Sequence, residues 1–385
     1  MTKIYLDNSM TTAPSEKAIS GMMPYLTEMW GSPSAPHQCG QQLYLVMKES
    51  YQSLYDLLGA NESDTIIFTS SGAEAVNHAI QSTYYTTTLT TGKNHFLTSS
   101  LDEAPAIMSI ERLEEMGCVG KMVEVNKEGY ITAEAIGDAI TPRTAMVSLS
   151  WANGLTGVIQ PVSEIASLCK SRGIIFHLDA THILGKLYFD LEDVGADFIS
   201  FNGDHFHAPK GTGGLYIKNG TKCVPLISGG MEQGGYRGAP INIPGLVSLG
   251  IAAKEAQDSC DLLCTEVARF RDKLETGILE GFPEAVPFFR DQDRLSHCTT
   301  IAFPGIANEA LLFQLDRKGV YASIGGGSFQ QIGLLLIASG IEENLVHCAI
   351  SFSLSRKTTE DEIDQAIQII VESAKQLSKT SEKLV

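Results

Sequence analysis

Between about residues 65 and 217, short apolar, β-branched runs alternate with amphipathic stretches. Thr65-Ile66-Ile67-Phe68-Thr69 precedes a helix that starts at Gly72, Ala145-Met146-Val147-Ser148-Leu149 precedes one that starts at Val162, and Ile174-Ile175-Phe176-His177-Leu178 follows. Apolar runs set between helices are buried on both faces, which predicts βαβ units and a mostly parallel sheet. Two more strands, at 198–201 and 214–217, bracket a glycine-containing loop. A Gly/Pro-rich stretch at 229–245 then gives way to a helical pattern from about 251 to 279, and marks the expected domain boundary. Strands at 297–303 and 349–353, with helices at 307–318 and 359–378, form a smaller α/β unit whose tail is expected to fray after Leu377. The predicted division is a large domain of residues 13–250 and a small one built from 1–12 and 251–385.

Composition narrows the class. With 43% hydrophobic and 19% charged residues, the chain of 385 residues reads as globular and long enough for two cores. No stretch approaches the roughly 18 apolar residues of a membrane span. The first residues lack a basic segment followed by an apolar one, so the expected location is cytoplasmic. A net charge of -17 without any Lys/Arg run argues against nucleic acid or an anionic membrane as partner. The eight cysteines are scattered with no CxxC pair, so neither a zinc ribbon nor a disulfide framework is expected, and no metal site is assigned.

Two local features carry candidate chemistry. Ser70-Ser71-Gly72 lies between a strand and a helix, where free N–H groups and the positive helix end either cradle a phosphate or serve only as an ordinary cap. Asp179 ends an apolar strand, which in a parallel sheet is where ligands sit, although a carboxylate there serves equally as a cap for the next turn.

Several segments in order along the chain resemble the NifS/IscS cysteine desulfurases, pyridoxal-phosphate (PLP) enzymes of the class V aminotransferase group. Tyr5-Leu6-Asp7-Asn8 through Thr12 is similar to YLDNxATT, and Gly31-Ser32-Pro33-Ser34 through His37 and Gly40 to GNPSSxHxxG. Phe68-Thr69-Ser70-Ser71-Gly72-Ala73-Glu74, Gly157-Val158-Ile159-Gln160-Pro161, His177-Leu178-Asp179-Ala180-Thr181 and Ser353-Leu354-Ser355-Arg356 match in order and spacing. The resemblance implies the type I PLP-dependent transferase fold: a large domain with a mostly parallel sheet of the seven-stranded type, a smaller C-terminal α/β domain, and a homodimer with its sites at the subunit interface. It also implies a cofactor site at Ser71, Gly72, Ala73, Gly154, Asp179, His182, Asn202, Asp204 and His205, with Asp179 on the pyridinium nitrogen.

Against that pattern the chemical residues differ. Aligning Ser200-Phe201 and Pro209-Lys210-Gly211 puts Asp204 on a histidine position and His205 on that of the Schiff-base lysine, while Lys210 matches a second lysine that does not form the imine. Ser328 falls where the resemblance puts the cysteine that accepts sulfur, and no Cys stands between Cys298 and Cys348. Imidazole forms no imine and a hydroxyl carries no persulfide. Ala73, Ala104, Gly154, His182, Asn202 and Ala239 replace polar or ring-contacting residues, and Ser351 replaces an arginine. Neither His205 nor Ser328 is therefore expected to be catalytic as its counterpart is. The expectation is a chain with no covalently bound cofactor, PLP being held at most as a weak non-covalent ligand. Its role is then that of a desulfurase homologue without desulfurase activity, kept to bind or regulate a protein of sulfur or iron-sulfur assembly. The alternative is an enzyme of altered chemistry, using non-covalent PLP or employing Asp179, His182, Asp204 and His205 as acid/base groups or metal ligands.

Overall fold

The computed structural model describes residues 3–326 and 329–381. Its centre is a seven-stranded sheet of β1 (Thr65–Thr69), β2 (His95–Ser99), β3 (Val119–Val123), β4 (Thr144–Ser150), β5 (Ile175–Asp179), β6 (Phe198–Asn202) and β7 (Gly213–Ile217). The spatial order is β1-β7-β6-β5-β4-β2-β3, and only β7 runs antiparallel to its neighbours. The α/β class and the mostly parallel sheet follow the sequence pattern.

Two strands carry no apolar run, so the hydrophobic pattern passes over them. The edge strand β3, Val-Gly-Lys-Met-Val, is largely exposed. In β2 polar residues are buried because they find partners: His95 Nδ1 lies 2.8 Å from Thr144 Oγ1, and Thr98 donates to Asp102 at 2.6 Å. Satisfied polar groups tolerate a core that an unpaired one would not.

Helices cover both faces. Of these, α1 (Glu16–Thr27) and α2 (Tyr44–Leu58) pack on α6 (Ile243–Asp258), while α3 (Gly72–Thr83), α4 (Ala104–Glu114) and α5 (Val162–Arg172) connect strands. The helix expected from 251 begins at Ile243 instead. Asn242 caps it by accepting from the Gly245 amide, and Pro244 occupies its first turn, where a missing N–H costs nothing. The following α7 (Ala268–Gly281) packs with the terminal α8 (Glu360–Ser381), which continues beyond the predicted fraying point at Leu377.

The C-terminal part builds a second, antiparallel sheet from β8 (Val286–Pro287), β9 (Cys298–Ala302) and β10 (Ala349–Ser353). Ile4–Tyr5 pairs in parallel with Val320–Tyr321, so the N-terminal segment joins this part. One apolar core runs through Leu149, Phe176, Leu178 and Phe201, another through Leu6, Leu274, Phe303 and Phe352. Among the described residues no helix is long and apolar enough to cross a membrane.

This topology sets the site. The carboxyl ends of β4, β5 and β6 and the start of α3 open towards one another, which is where open α/β sheets place ligands.

Candidate active site

At the end of β5, Asp179 is buried and accepts from the Thr181 amide at 2.9 Å. Burial, together with the nearby charge of Glu103, pushes its carboxyl up to about 7. Glu103 lies ahead of α4 and reaches His182 Nε2 at 2.8 Å. Burial opposes its charge, but the hydrogen bond and charge of His182 outweigh that and hold Glu103 below the usual carboxylate range.

His182 stands edge-on to His205, with ring centroids 5.0 Å apart. A cavity of about 200 Å³ is bounded by Glu103, Ala104, Gly154, His182 and His205, with Gly326 and Gln330 at its rim. Gly154 is required by this arrangement: a Cβ there would lie 2.2 Å from His182 Cε1. Two of the replacements singled out in the sequence therefore belong together, because the imidazole at 182 occupies the space that a side chain at 154 would need.

His205 closes a single 3₁₀ turn, Gly203–His205, after β6. Burial, reinforced by His182 and Lys186, drives its ring well below the ordinary histidine range, so it is neutral at physiological pH. Its Nδ1 is buried and makes no hydrogen bond. Behind it lies a small cavity of about 20 Å³, room for one water, shared with Lys186 and His297. Lys186 is buried with Nζ unpaired, and both ring nitrogens of His297 are unpaired as well. Burial lowers the Lys186 amine to about 8, against the opposing charges of Cys298 and Asp204.

At the start of α3, Ser71 caps the helix by accepting from the Glu74 amide at 3.2 Å. Asn202 accepts from the Gly72 amide at 3.2 Å, and Glu74 accepts from the Ser70 amide and hydroxyl at 2.8 and 2.7 Å while pairing with Arg237. Ala73 is exposed on the first turn.

Asp204 is turned away from the cavity. Its carboxylate accepts from Thr11 Oγ1 at 2.8 Å and its carbonyl from the Thr12 amide and hydroxyl, which fixes the N-terminal segment. The set Asp179, His182, Asp204 and His205 is thus only partly assembled, and among the described residues no three His, Cys, Asp or Glu are grouped to hold a metal. Lys210 is exposed and donates to Thr11 Oγ1 at 3.1 Å. Ser328 lies outside the described residues. Sequence reasoning passed over Glu103, Lys186 and His297. A legible signal existed for Lys186, a lone cation in the apolar run Ile183-Leu184-Gly185-Lys186-Leu187.

The sequence matches the family model described as Aminotransferase class-V over residues 4–366. The chain belongs to the class-V aminotransferase family. Among its relatives, cysteine desulfurase 2 of Trichormus variabilis is 37% identical over 374 residues, covering 96% of this chain and 92% of that protein. Cysteine desulfurase NifS of Azotobacter vinelandii is 36% identical over 386 residues, 99% of this chain and 95% of its own. A solved NifS-like protein superposes with a TM-score of 0.90 at 28% identity, covering 98% of this chain and all of that one. The fold is that of the NifS-like structures.

This membership corrects the expectation about the cofactor. A family of PLP-dependent enzymes, with desulfurases 36–37% identical along nearly the full length, supports cofactor use where the substitutions had suggested none beyond weak non-covalent PLP. The residues present fit the group at its ring end. Asp179 would hold the ring nitrogen and the cavity beside Ala104, His182 and His205 would take the ring, whereas at the start of α3 the Gly72 and Glu74 amides are already engaged by Asn202 and Ser71. When bound, PLP supplies an electron sink for negative charge at a substrate's α-carbon.

Proposed function

We propose that this chain is a cysteine-desulfurase homologue that keeps the cofactor site and the fold but does not turn cysteine into alanine and enzyme-bound sulfur. The observation that carries this reading is the lack of a cysteine where the resemblance puts the sulfur carrier: none stands between Cys298 and Cys348. Cys298 itself is a buried strand residue whose Sγ donates to the Gly154 and Leu155 carbonyls at 3.2 and 3.1 Å, and burial raises its thiol above the usual range. A protonated, enclosed thiol neither attacks nor carries sulfur. His205, neutral and buried, has replaced the amine that the resemblance expects. Ser351 donates to the Leu155 carbonyl at 2.8 Å and offers no cation for a substrate carboxylate.

The protein's role under this reading is to bind or regulate a component of sulfur or iron-sulfur metabolism, as a cytoplasmic homodimer divided into domains of residues 13–250 and 1–12 with 251–385. Mass spectrometry of the intact protein after incubation with PLP and L-cysteine tests the chemistry. No gain of a sulfur atom is expected; a persulfide on any cysteine contradicts the proposal.

A further inference from the structure

We infer that Lys186, His205 and His297 form a buried binding site for a single monatomic anion of the chloride class, separate from the larger ligand cavity.

The enclosed space of about 20 Å³ behind His205 is bounded by five basic side chains, Lys186, His205, His207, His297 and Arg356, and among the described residues by no Asp or Glu. Two of the five are already committed. His207 Nδ1 lies 2.7 Å from the Ala13 carbonyl, and Arg356 pairs with Glu255 at 3.0 Å. The other three present four buried polar atoms without partners: Lys186 Nζ, His205 Nδ1, and Nδ1 and Nε2 of His297. Lys186 is 6% exposed, His205 7% and His297 1%. Buried polar atoms are nearly always paired, so four orphans around one small space mark a place whose partner comes from outside the chain.

Charge and size decide what that partner is. Burial lowers the Lys186 amine only to about 8, so most of it still carries its extra proton at pH 7. Asp204, whose charge acts on this amine, does not bound the space and accepts instead from Thr11 Oγ1 at 2.8 Å. A water would satisfy some of the hydrogen bonds but would leave the cation uncompensated, and an isolated buried charge is costly. Burial keeps both imidazoles neutral, so each offers one N–H. A monovalent anion accepts from those N–H groups and from the ammonium, and cancels the buried charge as it does so. Sulfate, phosphate and carboxylates exceed a space of this size, whereas a single chloride is only slightly larger than a water.

The site also bears on the larger cavity, because the His205 ring lines both spaces. An anion opposite Nδ1 holds the ring proton on that nitrogen and leaves Nε2 as an acceptor. Occupancy of the small space thereby fixes the hydrogen-bonding role that His205 offers.

The test uses the full-length protein and Lys186→Met, which removes the charge while keeping a side chain of similar length. Melting temperatures are measured by circular dichroism in sodium chloride and in sodium gluconate at equal ionic strength, and wild-type crystals soaked in sodium bromide are examined by anomalous diffraction at the bromine edge. Wild type is expected to melt higher in chloride than in gluconate, by about 2 °C at ten times the dissociation constant, and to hold one bromide against Lys186 Nζ. In Lys186→Met the difference between the salts is expected to vanish. Should that variant not fold, the two wild-type measurements decide without it. Equal wild-type melting in both salts up to the physiological ionic strength of about 0.15 M overturns the proposal, and any bromide then seen in the crystal is an adventitious ion only. A water in place of bromide overturns it too, as does a chloride effect that persists in Lys186→Met.

Discussion

Gly154 and His182 show how single residues here are coupled by space. Because a Cβ at 154 would meet the His182 ring at 2.2 Å, Gly154→Asn alone forces the ring off Glu103 and is expected to cost about 1–3 kcal/mol. His182→Gln relieves that clash, so chemical denaturation of the two single variants and the double variant is expected to show favourable coupling of about 1 kcal/mol. Asp179 makes a pH-dependent prediction. Its folded-state carboxyl is raised to about 7 from an ordinary value of 3.8, so the fold binds a proton that the unfolded chain releases, and stability falls as pH rises from about 4 to 7. Asp179→Asn removes that loss. Without cofactor its melting temperature is expected to exceed that of wild type at pH 8, with the gap closing as pH drops towards 4, while PLP binding weakens. Lys186 has the opposite sign: the penalty of burying its amine is fully present below pH 8 and fades towards 10.5.

At the scale of elements, the apolar runs predicted the central parallel strands because those strands are covered on both faces. β2 and β3 were not legible by that rule, one being rich in paired polar residues and the other an exposed edge. The early start of α6 was hidden by Pro244 and Gly245, which read as a breaker when taken alone and as a capped first turn once Asn242 is included. The sequence also singled out Ser71, Gly72 and Asn202, which meet at the start of α3. Glu74 accepts from Ser70 four residues earlier, a local contact, but nothing in the sequence signalled that Arg237, 163 residues away, pairs with the same carboxylate. Removing the cap through Ser71→Ala is expected to cost about 1 kcal/mol, measured by thermal unfolding.

For the whole molecule, the collinear motifs made the fold readable from end to end, whereas the site was readable only as a set of departures. Asp204 illustrates the limit: its sequence position suggested a pocket ligand, but its carboxylate and carbonyl are spent on Thr11 and Thr12, residues nearly two hundred positions earlier. Lys186 illustrates the reverse, a residue outside every compared motif position that the fold brings beside His205. A homodimer predicts a light-scattering mass twice that of the 41.6 kDa chain. The central claim, an intact fold with the sulfur-transfer chemistry removed, is tested most directly by measuring alanine formed from L-cysteine by the purified protein with PLP and a reductant present. The account predicts no alanine above the protein-free control; steady, protein-dependent alanine production at the rate of an active relative assayed alongside would contradict it.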